Sequence, residues 1–494
     1  MRCRGRQIRM AGVGVGELRQ GTAPAGRPRG AWRGSHPLPE RQGGDPQMKS
    51  MEVSRLTDTG ELKDFISGVL QRSPAQQTEV MVTEWDSALT RFANNGIHQN
   101  VAERNVSVRV RVVKDGKTGV ASINQMNQAA ASDVLNRAIA IADLQPKGEV
   151  VPMPGPAPAQ PVEAWSDATA AATPEERADF VEAICVKAGH AGLKAFGAYS
   201  TSAGQLAIAN SLGVFHHHRS TQATVNAVIM GDAGSGYADR GAVDVGELDR
   251  DELATEVIDK AKRNQNAQPV EPGDYEVVLE EYAVAEMLEF MSFMGFSALA
   301  AQEERSFMRL DERITGENVS IWDNALDLSG LPVSFDFEGV PKQRVDLITR
   351  GVARGLVYDQ LTAQRAGRQS TGHGLPAPNT EGPFAVNLFM EPGTTAKAEL
   401  LSDIKRGIWV TRFWYVRIVH PKASIITGMT REGTFLIENG RITRPVKDLR
   451  FTQSILDALN GTLALSRTTK LQIGEYIGAS RVPAIRLKAF TFTS

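Results

Sequence analysis

The sequence predicts an α+β protein, with mixed helices and strands in its N-terminal and central parts and a β-rich C-terminal part. Three observations carry this. Val106, Val108, Val110 and Val112 alternate with other residues, the period of a half-buried strand. Thr173-Pro174-Glu175-Glu176 is a helix start, with Thr as N-cap, Pro at the first helical position and Glu placed to complete a capping box. Turn-punctuated apolar runs then fill the C-terminal part and include Asn439-Gly440, a strong hairpin signal. Helices and strands follow no regular βαβ rhythm, which argues against a doubly wound sheet.

A chain of 494 residues is expected to divide into roughly two to four domains. Its 41% hydrophobic and 23% charged content is that of an ordinary globular protein. A net charge of −2 gives no nucleic-acid footprint and no attraction to anionic membrane. No run approaches the roughly 18 consecutive apolar residues of a membrane span. Cys3 and Cys185 are the only cysteines, so a disulfide framework and a cysteine-built structural zinc site are both excluded. A reducing, cytoplasmic setting fits best.

Residues 1–50 are crowded with Arg, Gly and Pro and lack both apolar periodicity and a secretory h-region. They are expected to be a disordered extension outside the fold, ahead of a translation start at Met48 or Met51. Gly12-Val-Gly14-Val-Gly16 follows no strand pattern and is a poor phosphate loop. Residues 51–145 form a first α+β unit: a helix around Leu62–Leu70, alternating strands, a hairpin at Asp115-Gly116 and a helix from Ser132 to Ala142. Six prolines between Pro146 and Pro161 predict an extended linker.

Residues 162–270 form the central α+β unit. It holds the capped helix at Thr173, strands at 205–209 and 223–230, and a helix at 249–263 whose acidic start and basic end suit the macrodipole. Residues 271–494 form the β-rich unit. A strand at Glu276–Leu279 leads into a helix over 281–301 with one apolar stripe, Val284, Met287, Leu288, Met291, Met294 and Ala298. Strands follow at Leu347–Thr349, turning through Arg350-Gly351 into Leu356–Tyr358, and at Ile425–Thr427 and Phe435–Ile437.

Common catalytic signatures are absent: there is no Gly-x-Ser-x-Gly elbow, full Walker loop or dinucleotide fingerprint. Asp232–Gly236 is Gly-rich but has no Lys for phosphates. Cys185, inside the capped helix, reads as a core residue. His216 and His218 would share one face of a strand and could hold a metal with a third ligand; a solvated strand end is the plainer reading. Ser370-Thr371-Gly372-His373 lies in a Gly-flanked loop, where His373 either organises the loop or bonds a peptide backbone. His420 precedes Pro421 in a turn and reads as structural. Trp409, Phe413, Trp414 and Tyr415 suit a β-rich core, an interface or a peptide cleft.

Residues 406–456 resemble the TldD/PmbA family, zinc-dependent peptidases built from paired, related subunits. Gly428-Met429-Thr430, the Gly-Thr-Phe-Leu-Ile-Glu-Asn-Gly run over 433–440, and Pro445–Phe451 look like its PmbA (TldE) side. Thr90–Asn100 is similar to the family pattern too, and the resemblance covers about 75–490. It implies that the helix at 281–301 is where a catalytic subunit carries His-Glu-x-x-x-His, two zinc ligands and a Glu that activates water. Here Glu289, Phe290 and Met294 stand at those places, and no His occurs between His218 and His373. The further zinc ligand implied by the family, a Cys near the C-terminus, is also missing; Gln472–Gly478 occupies that neighbourhood.

The resemblance therefore implies a non-catalytic TldE/PmbA-like subunit with no cofactor of its own, paired with a TldD-like catalytic partner that carries the His-Glu-x-x-x-His box and the zinc. Extended peptides, from maturation or from fragments of labile proteins, are the implied substrates. Ser370, Thr371, Gly372, His373 and Trp414 are the candidate substrate contacts. The alternative is a stand-alone peptide-binding homodimer without protease activity. A hydrolase with a metal at His216/His218 is a third reading.

Overall fold

The computed structural model describes residues 56–474 and 478–494. The expectations for residues 1–50 and for the start at Met48 or Met51 lie outside them. So does part of the Gln472–Gly478 neighbourhood.

A six-stranded antiparallel sheet forms the N-terminal half. Its strands are β1 (Gln77–Ala93), β2 (Gly96–Lys114), β3 (Lys117–Ile123), β4 (Lys194–Asn210), β5 (Phe215–Met230) and β6 (Ser235–Ala242), in spatial order β3-β2-β1-β4-β5-β6. One sheet thus runs through both the first and the central predicted units, joined where β1 pairs with β4. The helices α1 (Thr59–Arg72), α2 (Gln128–Leu144), α4 (Pro174–His190) and α5 (Arg250–Arg263), with the short α3 (Asp167–Ala170), accompany it. Val80 and Val82 of β1 and Ala207 and Ala209 of β4 pack with α1 and α2, and Ala195, Tyr199, Ala223 and Val225 pack with α4 and α5. By strand parity these residues lie on one face, so the four long helices cover the same side.

Local chemistry explains most ends. Thr173 and Glu176 make the reciprocal capping box. The hairpin turns at Asn94-Asn95, Asp115-Gly116 and Asn439-Gly440 all hold positive φ at both central residues, where Asn, Asp and Gly carry the least strain. The predicted strands 205–209 and 223–230 are the C-terminal parts of much longer ones, because pairing continues through polar stretches. The proline segment is extended but packed: Met153 is buried, and the Pro154 carbonyl accepts a 2.8 Å hydrogen bond from Asn210 Nδ2.

The C-terminal half is built on an eleven-stranded mixed sheet. Its strands are β7 (Gly273–Leu279), β8 (Ile321–Asp323), β9 (Val345–Thr349), β10 (Val352–Ala353), β11 (Asn387–Met390), β12 (Arg406–His420), β13 (Ile425–Glu438), β14 (Arg441–Pro445), β15 (Arg450–Ser454), β16 (Thr462–Ile473) and β17 (Ala479–Phe492). The pairings β7–β12–β13–β15–β17–β7 close into a ring, so this part of the sheet curls into a barrel. The predicted strands 425–427 and 435–437 are a single strand, β13. The chain does turn at Arg350-Gly351, but the returning strand is β10, and Val357 makes only an isolated bridge to Ser297.

The predicted helix over 281–301 is broken. It consists of α6 (Glu281–Met291), a π turn at Ser292–Phe296, and α7 (Ala298–Gln302), with extended backbone at Ser297 between them. A regular stripe was the wrong picture here as well, since α6 is buried on all sides between β12 and β17. The short helices α8 (Gln360–Arg365) and α9 (Ile455–Asn460) complete the fold. Among the described residues no helix is long and apolar enough to cross a membrane.

Candidate functional site

Helix α6 enters from β7 through Glu280, whose backbone amide bonds Val410 of β12. Glu280 is the N-cap yet makes no side-chain cap. Its buried carboxylate instead accepts from Lys260 Nζ (2.9 Å), Lys397 Nζ (3.0 Å), Trp409 Nε1 (2.8 Å) and Thr411 Oγ1 (3.0 Å). Burial alone would raise its pKa, but Lys260 and Lys397 hold it at about 2. Next to it, Glu256 of α5 meets Lys260 (2.7 Å), Lys470 (2.8 Å) and Arg240 (2.7 Å), and takes the Tyr282 hydroxyl at 2.9 Å. Burial opposes its ionisation, and the three cations overcome that and pull it far below the usual carboxylate range. Glu281 pairs with Lys397 at 2.6 Å. These acids are neutralised by fixed cations, so this network ties α5, α6, β12 and β16 together rather than offering a free base.

More than two turns further on lie the three positions at issue. Glu289, Phe290 and Met294 are 6, 5 and 0% exposed. Phe290 and Met294 belong to the main apolar core with Met291 and Phe296. Phe293 meets Phe290 in a tilted contact at 6.1 Å and Phe384 edge-on at 4.7 Å. Positions five residues apart stand about 140° apart on a regular α-helix, whereas the i→i+5 bonding of a π turn brings them back towards one face. The turn at Ser292–Phe296 therefore swings Met294 towards the side of Glu289. Gly295 permits it, because a Cβ there would collide with the Phe307 ring.

The chemistry of this set does not suit zinc. Phe290 has no atom that can take a proton from water, Met294 offers a soft thioether, and Glu289 alone is a hard donor. Among the described residues no group of three or more His, Cys, Asp and Glu is arranged to hold a metal.

The Ser370–Gly374 loop is organised inward. Ser370 Oγ donates to the Tyr358 carbonyl at 3.1 Å, and Thr371 Oγ1 accepts from the Tyr358 amide at 2.8 Å. His373 is buried, with Nδ1 2.9 Å from Thr371 Oγ1 and Nε2 2.9 Å from Asp323 Oδ1. Burial pushes its pKa down, so the ring is neutral at pH 7 and Nε2–H donates to Asp323. Gly372 has φ +74°, and a Cβ there would lie 2.5 Å from the Pro341 carbonyl. The Gly374 amide donates to Asp336 Oδ2 at 2.6 Å. Trp414 takes no part in these bonds; it stands on β12 with its ring between Arg412 and Arg431, at 4.9 and 4.7 Å.

His216 and His218 do share a face of β5, and both pack on Phe335, at 5.1 and 6.4 Å. Burial lowers both, His218 to about 4. The structure gives them an aromatic neighbour and no acidic or cysteine ligand among the described residues. His217 points the other way, to Gln205 Oε1 at 2.9 Å. His420 caps the turn at Ala423, as a structural residue does. The polar network around Glu256 and Glu280 was not foreseen; its only local trace in the sequence is the i,i+4 pair Glu256–Lys260.

Comparison with known proteins decides the family. Residues 78–142 match PmbA/TldA metallopeptidase domain 1, residues 167–265 the central domain, and residues 272–494 the C-terminal domain. The chain belongs to the PmbA/TldD metallopeptidase family. A metalloprotease of Methanocaldococcus jannaschii is 28% identical over 45% of this chain and 50% of its own length. One of Methanothermobacter thermautotrophicus is 26% identical over 46 and 50%. The match thus spans about half the length of these relatives. The crystal structure of TldE from Thermococcus kodakarensis superposes with a TM-score of 0.80 at 18% identity, covering 88% of this chain and all of that one. A putative modulator of a DNA gyrase from Thermotoga maritima gives 0.77 at 20% identity, again over 88% of this chain. At these identities the likeness is one of fold.

Proposed function

We propose that this PmbA/TldD-family chain is the non-catalytic, TldE/PmbA-like subunit of a two-component peptidase, and that a TldD-like partner carries His-Glu-x-x-x-His and the zinc. The observation that supports it most is the burial of Phe290 and Met294 in the apolar core at the two places where water activation and metal binding need polar atoms. The subunit completes the peptide chamber and restricts access to extended peptides, acting in peptide maturation or in clearance of labile fragments. The Ser370–His373 loop serves peptide binding indirectly, by fixing the segments around Tyr358 and Asp323, while Trp414 presents an exposed ring. The complex works in the cytoplasm.

Native purification of the tagged chain from its own cells, with mass spectrometry of what accompanies it, tests this reading. Near-equal recovery of a second family member bearing the zinc box is expected. Recovery of the chain alone would turn the reading towards the stand-alone peptide-binding homodimer.

A further inference from the structure

Thirteen large hydrophobic side chains are exposed among the described residues, and four of them fall within six consecutive positions at the end of β12. Trp414, Tyr415, Ile418 and Val419 are 37, 67, 39 and 55% exposed. A regular strand would send neighbours to opposite faces. Here the β12–β13 register slips between Trp414 and Arg417, and Tyr415 takes φ +55°, so Trp414 and Tyr415 both turn to solvent. A bulky residue at positive φ is an outlier in the backbone map, found here on the most exposed of the four rings and chains. Strand β7 pairs β12 only over Gly407–Val410, so the tip projects beyond it with β13 as its strand neighbour among the described residues.

The tip is one-signed. Phe413–Thr430 contains Arg417 and Lys422 and no Asp or Glu, in a chain whose net charge is −2. Arg417 covers the Tyr415 ring at 4.2 Å. Two acids stand at its base, Glu432, held by Arg412 at 2.6 Å, and Asp448, which faces Arg431 and Arg412. Clustered Trp and Tyr, aliphatic neighbours and a basic rim are the make-up of a binding hot spot. A symmetric contact with a second copy would set this basic rim against itself, which costs affinity. An apolar recess edged by carboxylates on a different chain suits it. The turn Pro421–Ala423 that closes the tip packs against Ser292–Phe296, so a chain seated here lies beside the helix that has lost its metal box.

We infer that the β12–β13 tip, centred on Trp414 and Tyr415, is the docking surface for the zinc-bearing TldD-like subunit. This rests on the heteromeric reading above. The test co-expresses the full chain with the His-Glu-x-x-x-His family member of the same genome and measures the dissociation constant by calorimetry at 50, 150 and 500 mM salt. Two variants are compared, Trp414→Ala/Tyr415→Ser and Ile418→Ser/Val419→Ser, with Leu144→Ser as an exposed control and circular dichroism to verify folding. The inference expects each patch variant to bind on the order of 100-fold more weakly, the control to bind as wild type, and wild-type affinity to fall with salt. Wild-type affinity in both folded patch variants would overturn the docking surface and leave the heteromer standing. Affinity indifferent to salt would overturn the acidic rim assigned to the partner. No binding by the wild-type chain would remove the heteromer itself, and the docking surface with it.

Discussion

His373 Nε2 donates to Asp323 Oδ1 across 2.9 Å, and neither side chain is exposed to solvent. The other Asp323 oxygen accepts from the Asn387 amide at 2.8 Å, so the pair locks the 370–374 loop to β8 and β11 at one point. His373, one of the candidate substrate contacts, thus has both ring nitrogens engaged within the fold. Replacing His373 with Ala leaves a buried carboxylate short of a donor, and about 3 kcal/mol of stability should be lost. Urea unfolding measures it; an unchanged midpoint would contradict the assignment.

Acid should weaken the fold through His218. Its folded pKa is about 4 and its ordinary value 6.5. As pH falls through that window the unfolded chain binds a proton that the folded chain refuses. Stability is full above about 6.5 and drops by about 3 kcal/mol towards pH 4. His373, lowered by burial, acts in the same sense. Asp239, Asp336 and Asp448 are raised to about 6 and act oppositely, losing stability as pH rises. The informative quantity is therefore the difference between wild type and His218→Phe. Unfolding midpoints at pH 7.5 and 5 should show a smaller acid loss in the variant, and equal losses would rule His218 out.

Glu256→Gln should be among the most damaging single changes. It leaves Lys260, Lys470 and Arg240 without their shared counter-charge, a loss of about 3–5 kcal/mol. Adding Lys470→Met should restore part of it. Thermal unfolding of both variants checks the order, and a double variant no better than the single one would show that the lysine is not coupled to Glu256.

Restoring the box should fail. Glu289→His/Phe290→Glu/Met294→His places polar groups in an apolar core, at about 2–4 kcal/mol for the new buried groups, and supplies no late Cys. The variant should be less stable, with no rise in its melting temperature on adding zinc. A rise of several degrees would mean the site is more forgiving than its packing indicates.

What the sequence revealed was local, and what it hid was long-range. The Thr173–Glu176 box and the Asn439-Gly440 turn were legible because each is decided by four neighbouring residues. The break at Ser292–Ser297 was not, because Met291, Met294 and Ala298 keep a helical apolar spacing straight through it. Strand ends were underestimated because β1 and β4 stay paired through Thr, Glu and Ser, where alternation fades but the ladder does not. Nothing in the sequence joined Glu256 to Lys470, 214 residues away, or Asp323 to His373, 50 away. At the candidate site, the missing His and Cys could be read directly; the burial of what replaced them needed the fold.

The most direct test of the non-catalytic reading is the zinc content of the homogeneous chain alone, by plasma mass spectrometry, alongside cleavage of an unstructured peptide. Zinc well below one per chain and no cleavage above buffer, with both gained on adding the His-Glu-x-x-x-His subunit, is the predicted result. One tightly held zinc per isolated chain, with cleavage that a chelator abolishes, would contradict it.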